Sequence, residues 1–139
     1  MRYETELDVA VSPEKVWEVM ADVDHWADFI PTTTWVRRES GDALAVGEKV
    51  RLKQPGIPVL VWQVTELEEG RVFVWQASAA GTRTVAGHEV TARGDGSHLR
   101  IWLEQSGPLA GPVGLLTGAR TRRYVQTEIE SMKARCEAG

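Results

Sequence analysis

The chain has 139 residues, 42% hydrophobic and 26% charged, with Lys+Arg 16 against Asp+Glu 20 and a formal net charge of -4. That length suits one domain, residues 1–139, with a sizeable core. The acidic balance excludes a basic footprint for nucleic acid and a polybasic membrane patch. No stretch has signal-peptide or transmembrane character, so no stable membrane insertion is expected. The single cysteine, Cys136, excludes an internal disulfide and fits a reducing cytoplasm.

From the N-terminus, Tyr3, Thr5, Leu7, Val9 and Val11 alternate with Glu4, Glu6, Asp8 and Ala10, a strand with one wet face. Ser12-Pro13-Glu14 then opens a helix: a capping hydroxyl, a proline suited to the first helical position, and an acid at the positive end of the dipole. Val16, Trp17 and Met20 form its apolar face. Asp22-Val23-Asp24 interrupts it, and a second short helix carries Trp26, Phe29 and Ile30 up to Pro31.

The middle of the chain reads as strand throughout. Thr32 to Glu39, Glu48 to Gln54, Val59 to Glu66, Arg71 to Ser78, Arg83 to Arg93 and His98 to Gln105 are joined by short Gly-, Pro- and Asp-containing turns. Such turns imply antiparallel hairpins. Gly87, inside a strand, predicts a bulge or a sharp bend. The remainder, Pro108 to Cys136, reads as one helix of about seven turns, roughly 40 Å long. Val125, Ile129, Met132 and Cys136 share its apolar stripe, which continues back through Thr121, Gly118, Gly114 and Gly111, with Leu115 and Arg122 on its shoulder. Glycine costs about 1 kcal/mol against alanine in a helix interior. Three on one face therefore mark close approach to a neighbour, open space beneath the helix, or an irregular first turn. The order β, two short helices, six strands and one long helix predicts an α+β fold, a curved antiparallel sheet of seven strands around the C-terminal helix.

Six tryptophans against two Phe and two Tyr are the compositional anomaly. They suit either a Trp-rich core or a cavity with aromatic walls. Trp62 shares a strand face with Leu60 and Val64, and Phe73 with Trp75 and Ala77. Size assigns both sets to the inner face. His88 lies on the apolar face of its strand with Ala86, Val90 and Ala92, which predicts a ligand-orienting or structural histidine rather than a general base. Trp102 alternates with Leu99, Ile101 and Leu103 and shares its face with Arg100 and Glu104, which puts it at the convex surface or under a neighbouring chain. No metal-ligand spacing, Ser-His-Asp pattern or dinucleotide fingerprint appears, so neither cofactor nor metal is expected.

Val11-Ser12-Pro13-Glu14-Lys15-Val16-Trp17, then Asp22, Trp26 and Pro31, resembles the START-like, Bet v 1-like (SRPBCC) superfamily, which includes proteins of the polyketide cyclase/dehydrase and lipid transport type. Val46-Gly47, Val61-Trp62-Gln63-Val64-Thr65-Glu66, Gly70-Arg71, Phe73-Val74-Trp75 and Ser106-Gly107-Pro108 fit the same pattern, so the resemblance spans nearly the whole chain. It implies a helix-grip fold with an apolar cavity between sheet and long helix. It also implies one of two functions: binding of a small apolar or aromatic metabolite, or aromatase/cyclase-like catalysis in the same cavity. The aromatase/cyclase members have an arginine on the strand of the Trp62 equivalent and a tyrosine after the Trp26 equivalent. Glu66 and a residue near Thr33 stand at those positions here.

The candidate ligand contacts are Phe29, Leu52, Gln54, Trp62, Phe73 and Trp75 from the short helix and sheet. His88 joins them, with Gly118, Thr121, Arg122 and Val125 from the long helix. Arg122 is the candidate for an acidic ligand group at the cavity mouth. The expected partner is a small hydrophobic or aromatic ligand, with no nucleic acid. A third function class, a co-chaperone or stress-related interaction domain of the same fold, would need an exposed surface, for which outward Trp102, Leu109, Val113 and Leu116 are the only hints; a homodimer is compatible with any of these readings.

Overall fold

A computed structural model describes residues 1–138. Seven strands form one antiparallel sheet: β1 (Arg2–Val9), β2 (Trp35–Arg38), β3 (Lys49–Gln54), β4 (Ile57–Glu68), β5 (Val72–Ala79), β6 (Thr82–Arg93) and β7 (Gly96–Ser106). Their spatial order is β1-β7-β6-β5-β4-β3-β2. Strands β2 to β7 form a meander, and β1 pairs with β7, Leu7 opposite Leu99 and Arg2 opposite Glu104. This is the expected helix-grip architecture, gripped around α2 (Ala110–Glu137).

β1 and β2 are opposite edges of the sheet, so the chain between them crosses its whole width. Helix α1 (Pro13–Ala21) makes the first part of that crossing, against β6 and β7. Ser12 caps it, its hydroxyl accepting from the Lys15 amide at 3.3 Å. The expected second short helix is a 3-10 segment, Val23–Asp28, that stops before Phe29. Trp26 is buried beneath it and donates its indole N–H to the Met20 carbonyl at 3.1 Å, which satisfies an orphan carbonyl at the end of α1. Arg38 on β2 is buried, its side chain 6% exposed. It donates to Glu48, to the Asp42 carbonyl and, at 2.8 Å, to Asp24. One guanidinium thus ties the edge strand, the following loop and the 3-10 segment together, using donors that a lysine does not have.

The core lies between the concave sheet face and the C-terminal half of α2, where Val125, Ile129, Met132 and Cys136 are all buried. Burial pushes the Cys136 thiol up to about 11, so it is a packing residue and not a nucleophile. The inner faces of β4 and β5 carry Trp62 with Val64, and Phe73 with Trp75 and Ala77, all buried, as their size predicts. Trp35, which parity leaves unplaced, is half-buried on edge strand β2 under the Arg37 guanidinium at 4.4 Å.

Gly87 does not mark a bulge. It pairs regularly with Val74 on one side and Trp102 on the other. The register shifts fall instead between Leu52 and Gln54 and between Val64 and Glu66. Gly87 is glycine because the Trp102 indole lies across it on the convex face: a Cβ there would stand 2.1 Å from the ring. Arg100 covers the same indole at 4.4 Å. Gly87→Ala is therefore expected to destabilise the fold by about 1–3 kcal/mol by overpacking. Most of that penalty should vanish in a Trp102→Ala background. Urea melts of the four proteins of this double-mutant cycle measure it.

Candidate ligand cavity

Between the N-terminal half of α2 and the sheet is a cavity of about 380 Å³. Its sheet wall is built from inward residues of five strands: Leu52 and Gln54, then Leu60 and Trp62, Trp75 and Ala77, Ala86 and His88, and Ile101 and Leu103. The alternation of each strand places them there, since residues two apart share a face. Trp26 forms part of the wall beside His88 and Trp75, its ring centroid 5.6 Å and 5.4 Å from theirs. Trp62 and Trp75 stand 5.6 Å apart and make a continuous aromatic wall.

The helix wall is Val113, Thr117, Thr121, Tyr124, Val125 and Glu128, with Arg120 beside them. At 100° per residue the row Thr117-Thr121-Tyr124-Glu128 lies about 80° around α2 from the buried stripe. The glycine stripe therefore does not roof the cavity. Gly114 and Gly118 face the side chain of Met1, whose sulfur lies 3.5 Å and 3.6 Å from where their Cβ atoms would be. Met1 reaches this place because its carbonyl accepts from the Gln105 amide at 2.8 Å, extending the β1–β7 pairing under the helix.

Two exposed turns frame one end of the cavity. At the β3–β4 turn, Tyr124 donates its hydroxyl to the Pro55 carbonyl at 2.7 Å, and Arg120 donates to the Gly56 carbonyl at 3.2 Å. At the β5–β6 turn, Leu109 packs on Gly81 and donates its amide to the Gly81 carbonyl at 3.1 Å. These contacts hold the N-terminal half of α2 over the opening.

The polar groups are few. His88 is 1% exposed. Its ring stacks on Phe73 with centroids 4.3 Å apart, and its Nε2 lies 3.3 Å from a Glu128 carboxylate oxygen. Its Nδ1 has no hydrogen-bond partner in the protein. Trp62 Nε1, Thr82 Oγ1 and Gln105 Oε1 are likewise buried and unpartnered, and all belong to cavity-wall residues. Among the described residues only one other buried side-chain atom, Thr32 Oγ1, is in this condition. Unpaired buried polar groups are rare in folded proteins and costly, so their concentration at one cavity points to use by a bound molecule or solvent.

Of the sequence candidates, Leu52, Gln54, Trp62, Trp75, His88, Thr121 and Val125 are on the wall. Four are not. Phe29 lies outside the cavity under the Arg135 guanidinium at 5.4 Å. Phe73 is fully buried behind His88. Gly118 faces Met1. Arg122 is exposed to solvent, and Arg120 takes the position at the mouth. Leu115, placed by its register on the shoulder of the buried stripe, is 88% exposed, whereas Val113, read as outward, is on the cavity wall. The wall residues that sequence reasoning missed include Trp26, Leu60, Ile101 and Val113 and, among the polar groups of α2, Thr117, Arg120, Tyr124 and Glu128. The signal for Thr117, Tyr124 and Glu128 is the second row of α2, Thr117-Thr121-Tyr124-Glu128, spaced four, three and four.

The family model described as polyketide cyclase / dehydrase and lipid transport matches residues 1–137. The chain belongs to this family. Solved structures place it in the Bet v 1-like and START fold group. Ara h 8.0201 shares 12% identity at a TM-score of 0.80, over 100% of this chain and 99% of that one. The ZhuI aromatase/cyclase from Streptomyces sp. R1128 shares 19% at 0.80, over 99% and 93%. A START superfamily protein from Mycobacterium smegmatis shares 16% at 0.74, over 99% and 97%. At these identities the likeness shows the fold alone. A comparison with curated proteins gives no match. No helix among the described residues is long and apolar enough to cross a membrane.

Because Gly118 is not on the cavity wall, Gly118→Ala separates packing from binding. A methyl at 3.6 Å from Met1 is in ordinary contact, and the helix gains about 0.8–1 kcal/mol of propensity. Thermal melting should show a rise in stability, with ligand affinity unchanged within twofold.

Proposed function

We propose that this protein binds a small apolar or aromatic metabolite in the cavity beneath α2. The observation that carries this is the combination of about 380 Å³ of largely apolar space with four unpartnered buried polar atoms on the residues around it. Small-molecule sites have this character: a volume of roughly 300–1,000 Å³, hydrophobic and aromatic walls, and a few polar groups that fix orientation. Trp62 and Trp75 offer flat faces to a ring, and Leu52, Leu60, Ile101 and Val113 complete an apolar envelope.

A second reading, aromatase/cyclase-like catalysis in the same cavity, is favoured by the His88–Glu128 pair, since a histidine beside a carboxylate is a common proton-transfer arrangement. The family description and the ZhuI structure supply the reaction class. Against it, Glu66, where the resemblance expects an arginine, is exposed at the β4 irregularity, and Thr33 is absent from the cavity wall. Binding is therefore the preferred function.

Titration with β-naphthol, followed by intrinsic tryptophan fluorescence, tests the proposal. Saturable quenching with a micromolar Kd, about 8 kcal/mol, is expected. Replacing both Trp62 and Trp75 by phenylalanine should remove most of the quenching. Undiminished quenching in that variant would place the ligand elsewhere.

A further inference from the structure

We propose that the ligand presents a neutral hydroxyl donor, a phenol or an enol, to His88 and Glu128, and that the Glu128 carboxylate rejects ligands carrying an anionic group at that end. This rests on the proposed function, and it names the chemistry that the site selects. Four observations support it.

The first is the donor and acceptor inventory. Glu128 is acceptor-only when ionised. His88 Nε2 lies 3.3 Å from a Glu128 carboxylate oxygen, and in the tautomer that carries its proton on Nε2 the Nδ1 atom is an acceptor. That Nδ1 has no partner in the protein and sits on a residue 1% exposed. Both members of the pair therefore offer acceptor capacity, which a ligand O–H satisfies and a ligand carboxylate does not.

The second is charge. Among the described residues no lysine or arginine lies within salt-bridge distance of Glu128, whose side chain is 16% exposed. The nearest cationic residue of the cavity wall along α2 is Arg120, eight residues earlier, about 12 Å away along the axis. Its guanidinium is engaged with the Gly56 carbonyl at the turn. A second negative charge beside Glu128 would thus be poorly compensated in an apolar, partly desolvated site.

The third is the rigidity of the pair. His88 is clamped by its stack on Phe73 and by the edges of Trp26 and Trp75, with ring centroids 5.6 Å and 5.7 Å away. Its orientation is set before any ligand arrives, which lowers the entropic cost of recognition.

The fourth is the complementary donor. Trp62 Nε1–H is buried and unpartnered on the same wall. Indole can only donate, so Trp62 suits a carbonyl or hydroxyl oxygen on the same ligand. A hydroxylated or keto-enol ring system provides both functions.

Isothermal titration of β-naphthol, naphthalene and β-naphthoate into wild type and Glu128→Gln tests the inference. The three ligands share one ring system and differ at one substituent. Wild type should bind the naphthol about tenfold or more tightly than naphthalene, in line with a hydrogen bond to a charged acceptor, and the naphthoate most weakly. Glu128→Gln, isosteric and with an unchanged Tm, should shrink the naphthol advantage and strengthen the naphthoate. Equal affinity of wild type for naphthol and naphthalene, or a naphthoate as tight as the naphthol, overturns hydroxyl selection while leaving cavity binding intact. Binding of none of the three overturns both.

Discussion

The cavity depends on how α2 is anchored. Its C-terminal half is packed: Ile129, Met132 and Cys136 are buried against the sheet and α1, and Lys133 and Glu137 reach the Asp8 carbonyl at 2.7 Å and the Ala10 amide at 2.8 Å. Its N-terminal half is propped at points. Leu109 rests on Gly81, Met1 fills the space under Gly114 and Gly118, and Tyr124 and Arg120 bond the Pro55 and Gly56 carbonyls. Between these props the helix stands off the sheet. The two halves differ in strength for a physical reason. Each exposed hydrogen bond contributes about 0.5–1.5 kcal/mol, whereas each fully buried large aliphatic side chain contributes about 1.5–3 kcal/mol. The half over the cavity is accordingly the less firmly held, and it is where opening costs least.

The polar atoms around this space are as informative as its volume. An apolar void in a core is a packing defect that natural sequences keep small. Here the space is bordered by an indole N–H, a hydroxyl, an amide oxygen and an imidazole nitrogen, all buried and unpaired within the protein. Elsewhere the chain satisfies its polar groups closely. Arg38 has its carboxylates and a carbonyl, Ser97 donates to the Val11 carbonyl at 2.6 Å, and Thr5 donates to Gln126 at 2.8 Å. The concentration of unsatisfied groups at one place agrees with a site built to be completed by a small molecule.

Much of this was legible in the sequence because it depends on local periodicity. Alternation placed Trp62, Trp75 and His88 on the inner face, and Ser12-Pro13-Glu14 announced α1. The Val125-Ile129-Met132-Cys136 spacing likewise defined the buried stripe of α2. What failed was tertiary. Of the three readings open to the glycine stripe, open space beneath the helix fails at Gly114 and Gly118, because Met1, more than a hundred residues away, packs there through the β1–β7 pairing. The glycine at position 87 signals a bulge or a sharp bend when its strand is taken alone, because the covering indole of Trp102 sits on another strand. Glu128 was invisible as a site residue, since a glutamate in a helix is ordinarily solvated and only the position of His88 across the cavity gives it a role. Arg122 and Arg120 differ by two residues and lie about 160° apart around α2, and because the cavity row is displaced about 80° from the buried stripe on the Arg120 side, Arg120 reaches the mouth.

The central claim is that the space beneath the N-terminal half of α2 is where a ligand sits. Intermolecular NOEs in the complex with β-naphthol test it most directly. The account predicts contacts from the ligand protons to the methyls of Leu52, Leu60, Val113 and Val125 and to the indole protons of Trp62 and Trp75. NOEs confined to the exposed Leu115 and Leu116, or to Val59 and Val61 on the outer surface of β4, would contradict it.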